Sequence, residues 1–549
     1  MLSRETSIRE LTRNFHWEIP EYFNIGVDVC DKWADREPDR LSLTYVDKNH
    51  CSQDFYYAEL KRHSNQLANL LTSMAIGEKD RVGILLPQVP ETAIAHIAVY
   101  KLGGIAIPLF TLFGIEALQF RLSDAGARTV ITNREGANKL LEIWHKLPQL
   151  EHIFCIDDND DNNDLIDHGI RSLWPEMKKQ DRDFVAVNTL ASDPALVIYT
   201  SGTTGQPKGA LHGHRTLHGH RTLLGHLPGV EMSHDFFPQI GDKIWTPADW
   251  AWIGGLLDVL LPALHRGVPV VAHRFEKFNG QIAMEFIERH QIRNAFIPPT
   301  ALKMMRAETD SSRCKQQMRT IASGGETLGA QLLDWGRQKF GLTINEFYGQ
   351  TECNMIVSSC GAIAPAQPGV MGFAVPGHDV QIVSNEGEIC EPGVMGNIAV
   401  RTPDPVAFLE YWNNPQATSE KYLGQWLITG DTGIKRTDGS FCFVGRDDDI
   451  ITSSGYRIGP GEIENTLIGH PAVAIAAVIG KPDESRTEIV KAFIKLNENY
   501  YPCNDLAQDL KLWVKTRLAA HEYPREIEFV DSLPMTTTGK IIRRELRNR

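Results

Sequence analysis

A tight run of hydroxyl and glycine residues around a lysine is the first feature of this sequence that could do chemistry. The run Tyr199-Thr-Ser-Gly-Thr-Thr-Gly-Gln-Pro-Lys-Gly209 follows the apolar stretch ALVIY. Hydroxyls and glycine amides in one loop form a nest for phosphate oxygens, and Lys208 adds a positive charge. It is not a P-loop, because Walker A requires Gly-Lys-Ser/Thr whereas Lys208 lies between Pro207 and Gly209. The pattern favours phosphate binding over a flexible polar surface loop.

Five further motifs follow this run along the chain. They are ASGGETLG (322–329), EFYGQTE (346–352), ITGD (428–431), GRDDDIITSSGYRIGPGEIE (445–464) and TTTGKIIRREL (536–546). Each has a simple alternative when it is taken alone. Tyr348 could be a core aromatic, Asp431 could lie in a surface turn, and Lys540 could begin a solvated basic tail.

Taken together and in this order, the six motifs resemble those of adenylate-forming enzymes of the acyl-CoA synthetase type. The wording SSGYRIGP is most similar to the medium-chain acyl-CoA synthetases. The resemblance covers the chain from about residue 190 to its end. It implies a reaction in two halves: a carboxylate attacks the α-phosphate of ATP to give acyl-adenylate and pyrophosphate, and the thiol of coenzyme A then displaces AMP. ATP, Mg²⁺ and coenzyme A are the implied co-substrates and metal.

The resemblance also implies a role for each motif. The loop that holds the β- and γ-phosphates would consist of Thr200, Ser201, Gly202, Thr203, Thr204 and Lys208. Residues bordering the adenine and sugar would be Gly325, Glu326 and Thr327, with Tyr348 stacked on adenine. Thr351 would contact the α-phosphate, and Glu352 would hold Mg²⁺, a hard cation that prefers oxygen ligands. Asp431 would accept the ribose hydroxyls, and Arg446 would support the ribose or a phosphate.

The implied fold is α/β, with a large N-terminal adenylate-forming domain of layered α/β subdomains at 1–445. A small mobile C-terminal α+β domain at 446–549 would swing about a hinge at Asp448. In one position Lys540 would reach the carboxylate and the α-phosphate. In the other, Gly455 would line the passage for the pantetheine arm, with Arg457 among the cofactor-binding residues.

The segment WTPADWAWIGG (245–255) resembles the acyl-pocket segment of the family. Its tryptophans could equally belong to the core, and Trp252 is the candidate pocket residue. Acetyl-CoA synthetases of the family carry a tryptophan at the position of Gly349, so a glycine there predicts a deeper pocket for acids of about four to ten carbons. Gly349→Trp is then expected to shift preference toward acetate and propionate. The alternatives are an acetyl- or propionyl-CoA synthetase, an enzyme that loads a carrier protein, a luciferase-like oxidase and a nucleotide-binding regulator.

One departure from the family is the hexapeptide HGHRTL, which occurs twice in succession at 212–217 and 218–223. Its four histidines could chelate a metal, but a tandem duplication is the favoured interpretation. Six residues turn a helix by about 600°, so a continuous helix would not keep both copies on one face. The extra copy is therefore expected to loop out, and it puts the geometry of the preceding loop in question.

Composition restricts the class of protein. Hydrophobic residues make up 42% of the 549 residues, which is typical of a globular protein. The net charge of −13 disfavours nucleic acid and anionic membrane as partners, because they are negatively charged too. Nine cysteines without a CxxC pair indicate neither a disulfide framework nor a zinc knuckle, and they favour the cytoplasm. The apolar stretches 93–115 and 251–264 are interrupted by Lys101 and Asp258, so no membrane span is expected.

Alternating helical and β-rich patterns predict the elements that position the motifs. In the first third we expect a helix at 54–76, strands at 81–87, 106–110, 128–132 and 152–157, a helix at 91–104 and an acidic surface loop at 157–169. In the last hundred residues we expect helices at 461–469 and 506–519 and strands at 472–480, 490–496 and 526–530.

Lys540 supplies a test of the implied domain swing. Removing one charge-stabilising donor from a preorganised site typically costs about 100- to 1000-fold in rate. Lys540→Ala should therefore lose most acid-dependent pyrophosphate release, yet still convert supplied acyl-adenylate and coenzyme A to thioester. Equal loss in both half-reactions would contradict the assignment. Since Pro534 to Lys540 also resembles the family's acetyltransferase recognition pattern, a lysine acetyltransferase is an implied partner that would remove this charge.

Overall fold

The computed structural model describes residues 2, 7–157, 163–200, 207–219, 223–225, 227–309, 314, 318–446, 449–453, 456–483, 487–518, 522–535 and 541–548. Strands in this part of the chain are β1 (Leu41–Val46), β2 (Ser52–Tyr56), β3 (Arg81–Leu85), β4 (Ile105–Pro108), β5 (Thr129–Thr132), β6 (His152–Cys155), β7 (Arg171–Ser172), β8 (Pro194–Thr200), β9 (Lys208–Gly213), β10 (Leu217–Gly219), β11 (Leu223–Gly225), β12 (Ile244–Trp245), β13 (Val270–Ala272), β14 (Asn294–Phe296), β15 (Thr320–Gly324), β16 (Asn345–Gln350), β17 (Asn354–Ser358), β18 (Phe373–Ala374), β19 (Val380–Val383), β20 (Met395–Arg401), β21 (Glu410–Tyr411), β22 (Tyr422–Leu423), β23 (Trp426–Lys435), β24 (Phe441–Arg446), β25 (Ile451–Ser453), β26 (Tyr456–Ile458), β27 (Val473–Asp483), β28 (Thr487–Leu496) and β29 (Glu526–Phe529).

The described α-helices are α1 (Ile8–Asn14), α2 (Lys32–Arg36), α3 (Tyr57–Ser73), α4 (Pro90–Lys101), α5 (Ile115–Ala125), α6 (Arg134–Ile143), α7 (Asn163–Asp167), α8 (Leu173–Lys178), α9 (Leu227–Ser233), α10 (Ile253–Gly255), α11 (Leu261–Arg266), α12 (Gly280–Arg289), α13 (Pro299–Glu308), α14 (Ala330–Lys339), α15 (Pro415–Glu420), α16 (Pro460–Ile468), α17 (Asn504–Arg517) and α18 (Arg543–Arg547). Short 3₁₀ or π turns lie at Val27–Asp31, Trp144–Lys146, His214–Thr216 and Leu256–Leu260.

Two large sheets form the bulk of the described chain. The eight-stranded sheet has the order β21-β9-β8-β4-β3-β5-β6-β7, and it is parallel except where β9 pairs with β8 and β21. The nine-stranded sheet has the order β18-β17-β16-β15-β14-β12-β13-β1-β2, with antiparallel strands only at its two ends. Helices cover these sheets, and their buried faces supply the apolar clusters, as an α/β layer architecture requires.

Two smaller sheets follow along the chain. The first contains β19, β20, β22, β23 and β24, all antiparallel. The second contains β25 to β29 and packs against α16 and α17 around its own apolar cluster. Its helices and strands confirm every element expected in the last hundred residues, with ends that differ by a few residues.

Helix α4 shows how burial sets the local pattern. Its twelve residues begin with Pro90, whose fixed φ suits the first helical turn, and all but one of them are buried. Lys101 at its C-terminal end is fully buried, and its ammonium lies 2.5 Å from a carboxylate oxygen of Asp31. The apolar stretch is therefore a core helix, and no helix in the described part of the chain is long and apolar enough to cross a membrane.

Two expected elements have different boundaries in the structure. The helix expected at 54–76 begins only at Tyr57, because residues 52–56 pair with β1 as strand β2. The acidic stretch 157–169, expected as a loop, contains helix α7 at Asn163–Asp167. The remaining strands expected before residue 160 are confirmed to within two residues at each end.

Strands β10 and β11 lie within and just after the duplicated hexapeptide, they pair with each other among the described residues, and helix α9 begins after them at Leu227. Residues 220–222 of the second copy lie outside the described residues, so the expected loop stays a prediction. His214 is buried, its Nδ1 accepts the backbone N–H of Ile25 at 3.2 Å, and burial lowers its pKa to about 3. A neutral histidine that accepts a backbone hydrogen bond is part of the core, which favours the duplication over the metal chelate.

Candidate active site

The run expected to bind phosphate joins two adjacent strands of the eight-stranded sheet. β8 ends at Thr200 and β9 begins at Lys208, and these two residues are register partners. The hydroxyl of Thr200 donates to the carbonyl of Lys208 at 3.3 Å. The antiparallel pair therefore closes the base of the loop, while Ser201, Gly202, Thr203 and Thr204 lie outside the described residues.

The expected border of the adenine and sugar follows the carboxyl end of β15, where ligands bind in open α/β sheets. Gly325 has a φ of +94°, a left-handed conformation that favours glycine. The carboxylate of Glu326 accepts from the hydroxyl of Thr300 at 2.9 Å and from the ammonium of Lys303 at 3.3 Å. These bonds fix the segment to helix α13, with Thr327 half-buried beside it.

Tyr348 and Asp431 come together from different sheets. Tyr348 lies in β16, Asp431 lies in β23, and the tyrosine hydroxyl donates to Oδ2 of the aspartate at 2.6 Å. Burial and the negative charge of Asp431 raise the pKa of Tyr348 well above its usual value, so the hydroxyl stays a donor. Asp431 is also the register partner of Arg446 in β24, which is exposed. The structure thus groups three of the residues expected to bind the nucleoside.

Glu352 and Lys208 both contact the side chain of Tyr411. Oε1 of Glu352, a buried carboxylate, accepts from the hydroxyl of Tyr411 at 2.5 Å. The ammonium of Lys208 lies 5.2 Å from the centroid of the Tyr411 ring, within the range of a cation–π contact. Thr351 precedes Glu352 and is half-buried. The cation expected on the phosphates and the carboxylate expected on the metal therefore share one aromatic neighbour.

The residues fit Mg²⁺ as it is usually bound with a nucleotide. Magnesium in phosphoryl-transfer sites takes one or two carboxylates together with phosphate oxygens and water. Glu352 offers such a carboxylate, and among the described residues no group of three or more His, Cys, Asp or Glu side chains is arranged to hold an ion. A metal at Glu352 would therefore be shared with the triphosphate.

Glu346 is a residue that sequence reasoning missed. It lies two residues before Tyr348 on β16, is 3% exposed, and its Oε1 accepts the backbone N–H of Leu328 at 3.3 Å. Its Oε2 is buried without a hydrogen-bond partner, and burial raises the pKa of Glu346 to about 8. A protonated acid here ties β16 to the segment that follows Gly325. The sequence carries no clear signal for this role, because β16 also contains the polar residues Asn345 and Gln350.

The candidate pocket residues have different surroundings. Trp252 is half-buried, with its ring edge-on to Phe110 at 5.7 Å between centroids, whereas Trp245 and Trp250 are fully buried in the core. The register of β16 against β17 shifts between Tyr348 and Gly349, and a Cβ built on Gly349 would lie 1.7 Å from the carbonyl oxygen of Asn354. A side chain at 349 would thus meet the backbone of β17 first, a constraint that the sequence did not reveal.

The C-terminal site residues are only partly described. Lys540, Asp448 and Gly455 lie outside the described residues, and Arg457 is described in strand β26 without its side chain. Beside them, Arg543 makes two hydrogen bonds to the carboxylate of Glu464, at 2.7 and 2.8 Å, and one to Asp449 at 3.2 Å. This ion-pair network joins the segment after Lys540 to the turn after Asp448.

Comparison with known proteins agrees with this architecture. The family model "AMP-binding enzyme" matches residues 30–412, and the model "AMP-binding enzyme C-terminal domain" matches 462–540. Acetyl-coenzyme A synthetase of Bacillus subtilis is 33% identical over 95% of this chain and 90% of its own. Acyl-coenzyme A synthetase ACSM3, mitochondrial, of Mus musculus is 32% identical over 99% and 93%. The crystal structure of anthranilate CoA ligase AuaEII in complex with anthranoyl-AMP superposes with a TM-score of 0.86 at 27% identity, covering 96% and 98% of the two chains.

The chain belongs to the AMP-binding enzyme family. Within it, the chain is an AMP-forming ligase of the acyl-CoA synthetase type, which uses ATP, Mg²⁺ and coenzyme A. The resemblance drawn from the six motifs is confirmed, as is the mixed α/β fold with a large N-terminal and a small C-terminal domain.

Glu346 gives the stability of the protein a pH dependence of known sign. Its pKa is about 8 in the folded chain against 4.5 ordinarily, so the folded state holds a proton that the unfolded state has lost. This contribution to stability falls as pH rises from about 4.5 to about 8. Between about pH 5.5 and pH 7.5, the Tm of the native protein should fall by more than that of Glu346→Gln. Glu285→Gln, which removes an exposed carboxylate, should keep the dependence of Tm on pH that the native protein has. If Glu346→Gln kept that dependence as well, the assignment of the raised pKa to Glu346 would be contradicted.

Gly349 gives a prediction that differs from the one drawn from sequence alone. Gly349→Ala should displace the hairpin that leads into Thr351 and Glu352, and a shift of about 1 Å in a reacting group can cost 100-fold. We expect kcat/KM to fall by about 100-fold for acetate and hexanoate alike. Gly77→Ala is the matched control, because a Cβ there meets nothing within 4 Å. Loss confined to the longer acid would show that the methyl group enters the acid pocket after all.

Proposed function

We propose that this enzyme activates short- to medium-chain carboxylic acids, of about four to ten carbons, and transfers them to coenzyme A. The observation that supports this proposal is the pair of contacts made by Tyr411: its ring lies near the ammonium of Lys208, and its hydroxyl donates to Glu352. It brings a phosphate-binding cation and a metal-binding carboxylate to one place, which a reaction at the triphosphate needs. Support for acids longer than acetate comes from the family resemblance: the chain has a glycine at 349, where acetyl-CoA synthetases of the family carry a tryptophan.

In the proposed first half-reaction, each residue has one task. The loop from Thr200 to Lys208 binds the β- and γ-phosphates, and Thr351 donates to the α-phosphate. Mg²⁺, when bound at Glu352, neutralises phosphate charge and so supplies Lewis-acid stabilisation. Lys540 donates to the substrate carboxylate and the α-phosphate while the carboxylate oxygen bonds to the α-phosphorus and pyrophosphate leaves, and its positive charge stabilises the charge that develops there.

The nucleoside is bound between the sheets. Tyr348 stacks on adenine, and the segment Gly325, Glu326 and Thr327 borders the base and sugar. Asp431 accepts from the ribose hydroxyls, and Arg446 supports the ribose or a phosphate. The bond from Tyr348 to Oδ2 of Asp431 supports this proposal, because it fixes the carboxylate before the ribose arrives.

The second half-reaction uses the C-terminal domain in another position. We place the domain boundary at 445/446 and the hinge at Asp448, so that rotation withdraws Lys540 and presents Gly455 and Arg457 to the pantetheine arm. The thiol then attacks the acyl carbonyl and AMP leaves. We also propose that the enzyme acts in the cytoplasm and that a lysine acetyltransferase switches off the first half-reaction at Lys540.

The substrate class is tested with the purified enzyme, ATP, Mg²⁺, coenzyme A and straight-chain acids. We expect acid-dependent AMP and pyrophosphate, with thioester only when coenzyme A is present. Each buried methylene contributes up to about 0.8 kcal/mol, or nearly fourfold, so kcat/KM should climb from acetate to butyrate and hexanoate until the pocket ends. ADP as product would exclude the mechanism. A preference for acetate would favour an acetyl- or propionyl-CoA synthetase, the activity named for the Bacillus subtilis relative.

A further inference from the structure

Residues 408–412 connect β9, which follows the proposed phosphate-binding run, to Glu352, the proposed metal-binding residue. The proposed function gives this segment no task. Its backbone pairs with β9 just after the phosphate-binding run: the N–H of Leu409 donates to Leu211 and that of Trp412 donates to Gly209, each at 2.7 Å. At its other end, the N–H of Phe408 donates to the carbonyl of Glu352 at 2.8 Å. This short segment, which we call the bridging segment, therefore bonds to both the phosphate-binding strand and the metal-binding residue.

Tyr411 is the side chain of the bridging segment that repeats this connection. It is 5% exposed, its ring packs against Phe408 at 4.8 Å, and its hydroxyl donates to Oε1 of Glu352 at 2.5 Å. The ammonium of Lys208 lies against the same ring. The bridging segment therefore bonds to Glu352 twice: the backbone N–H of Phe408 donates to its carbonyl, and the hydroxyl of Tyr411 donates to its carboxylate.

A carboxylate that binds a metal must present a lone pair in a fixed direction. A hydrogen-bond donor on one oxygen stops rotation of the group and directs the other oxygen, and outer partners of this kind are worth about 10- to 100-fold in metal affinity. A hydroxyl suits this task, because it donates one hydrogen bond and brings no charge that would compete with the cation. The aromatic ring in turn limits where the Lys208 ammonium can lie without neutralising it.

We propose that Tyr411 is a positioning residue that couples the phosphate-binding strand to the metal-binding carboxylate. Its hydroxyl orients Glu352 for the metal, and its ring holds Lys208 beside the phosphates, so that the metal and the triphosphate bind as one unit. The inference rests on the proposed role of Glu352 in holding Mg²⁺.

The test is direct binding, without turnover, using Mn²⁺ as a paramagnetic probe of the magnesium site. Electron paramagnetic resonance measures free Mn²⁺ in mixtures of the full-length enzyme and ATP, with no acid or coenzyme A. Tyr411→Phe keeps the ring and loses only the hydroxyl, so Mn²⁺–ATP should bind about 10- to 100-fold more weakly. ATP binding in the presence of a chelator should be unchanged in Tyr411→Phe and weakened in Tyr411→Leu, which also removes the surface under Lys208.

Tyr422→Phe is the matched control. Tyr422 stacks on Phe408, with ring centroids 6.4 Å apart, and is half-buried beside the same apolar cluster. It should bind Mn²⁺–ATP like the native protein. Unchanged Mn²⁺–ATP binding in Tyr411→Phe would overturn the proposal. Tighter binding would also overturn it, because the hydroxyl would then compete with the metal for Glu352. Glu352→Gln distinguishes failure of the Tyr411 proposal from failure of the proposed role of Glu352. If Glu352→Gln also leaves Mn²⁺–ATP binding unchanged, the assignment of Glu352 to the metal is wrong.

Discussion

The two ends of the proposed nucleotide site are built on different sheets, and hydrogen bonds of one short segment join the two sheets beside it. Lys208 belongs to the eight-stranded sheet, whereas Glu352 follows β16 of the nine-stranded sheet. Strand β21 extends the first sheet, and its neighbour Phe408 bonds to the backbone of Glu352. Since the reacting groups must be held to within about 0.5 Å, the distance between the sheets is the dimension on which the chemistry depends.

The site retains several polar groups in poorly hydrated surroundings. Tyr348, Tyr411 and Glu346 all have pKa values raised chiefly by burial, so each is neutral and can donate a hydrogen bond near neutral pH. Each contacts a residue that we propose to bind the nucleotide or the metal, or the backbone beside one. A neutral donor positions a carboxylate without cancelling its charge, which leaves that charge for the metal or the ribose.

Much of this arrangement can be predicted from the sequence because it depends on residues that are close together along the chain. The strand before Thr200, the C-terminal α+β elements and the nucleotide-binding motifs are contiguous patterns, and their hydrophobic period or residue types identify them. The contact between Tyr411 and Glu352 joins residues 59 positions apart, and no periodicity encodes it. Glu346 looks like any strand-end carboxylate until its burial is known. The boundary of α3 moved because pairing with β1 outweighs the helical spacing of residues 54–56.

Gly349 constrains how the sequence of its hairpin can evolve. A Cβ at this position would collide with the carbonyl of Asn354, on the same hairpin that leads to Thr351 and Glu352. A bulky residue at 349 is compatible with this backbone only after residues 354 and 355 have moved. The two sides of the hairpin therefore form an epistatic pair, and a lineage that gains a bulky side chain at 349 must cross a two-step path. Directed-evolution libraries should accordingly randomise both sides together.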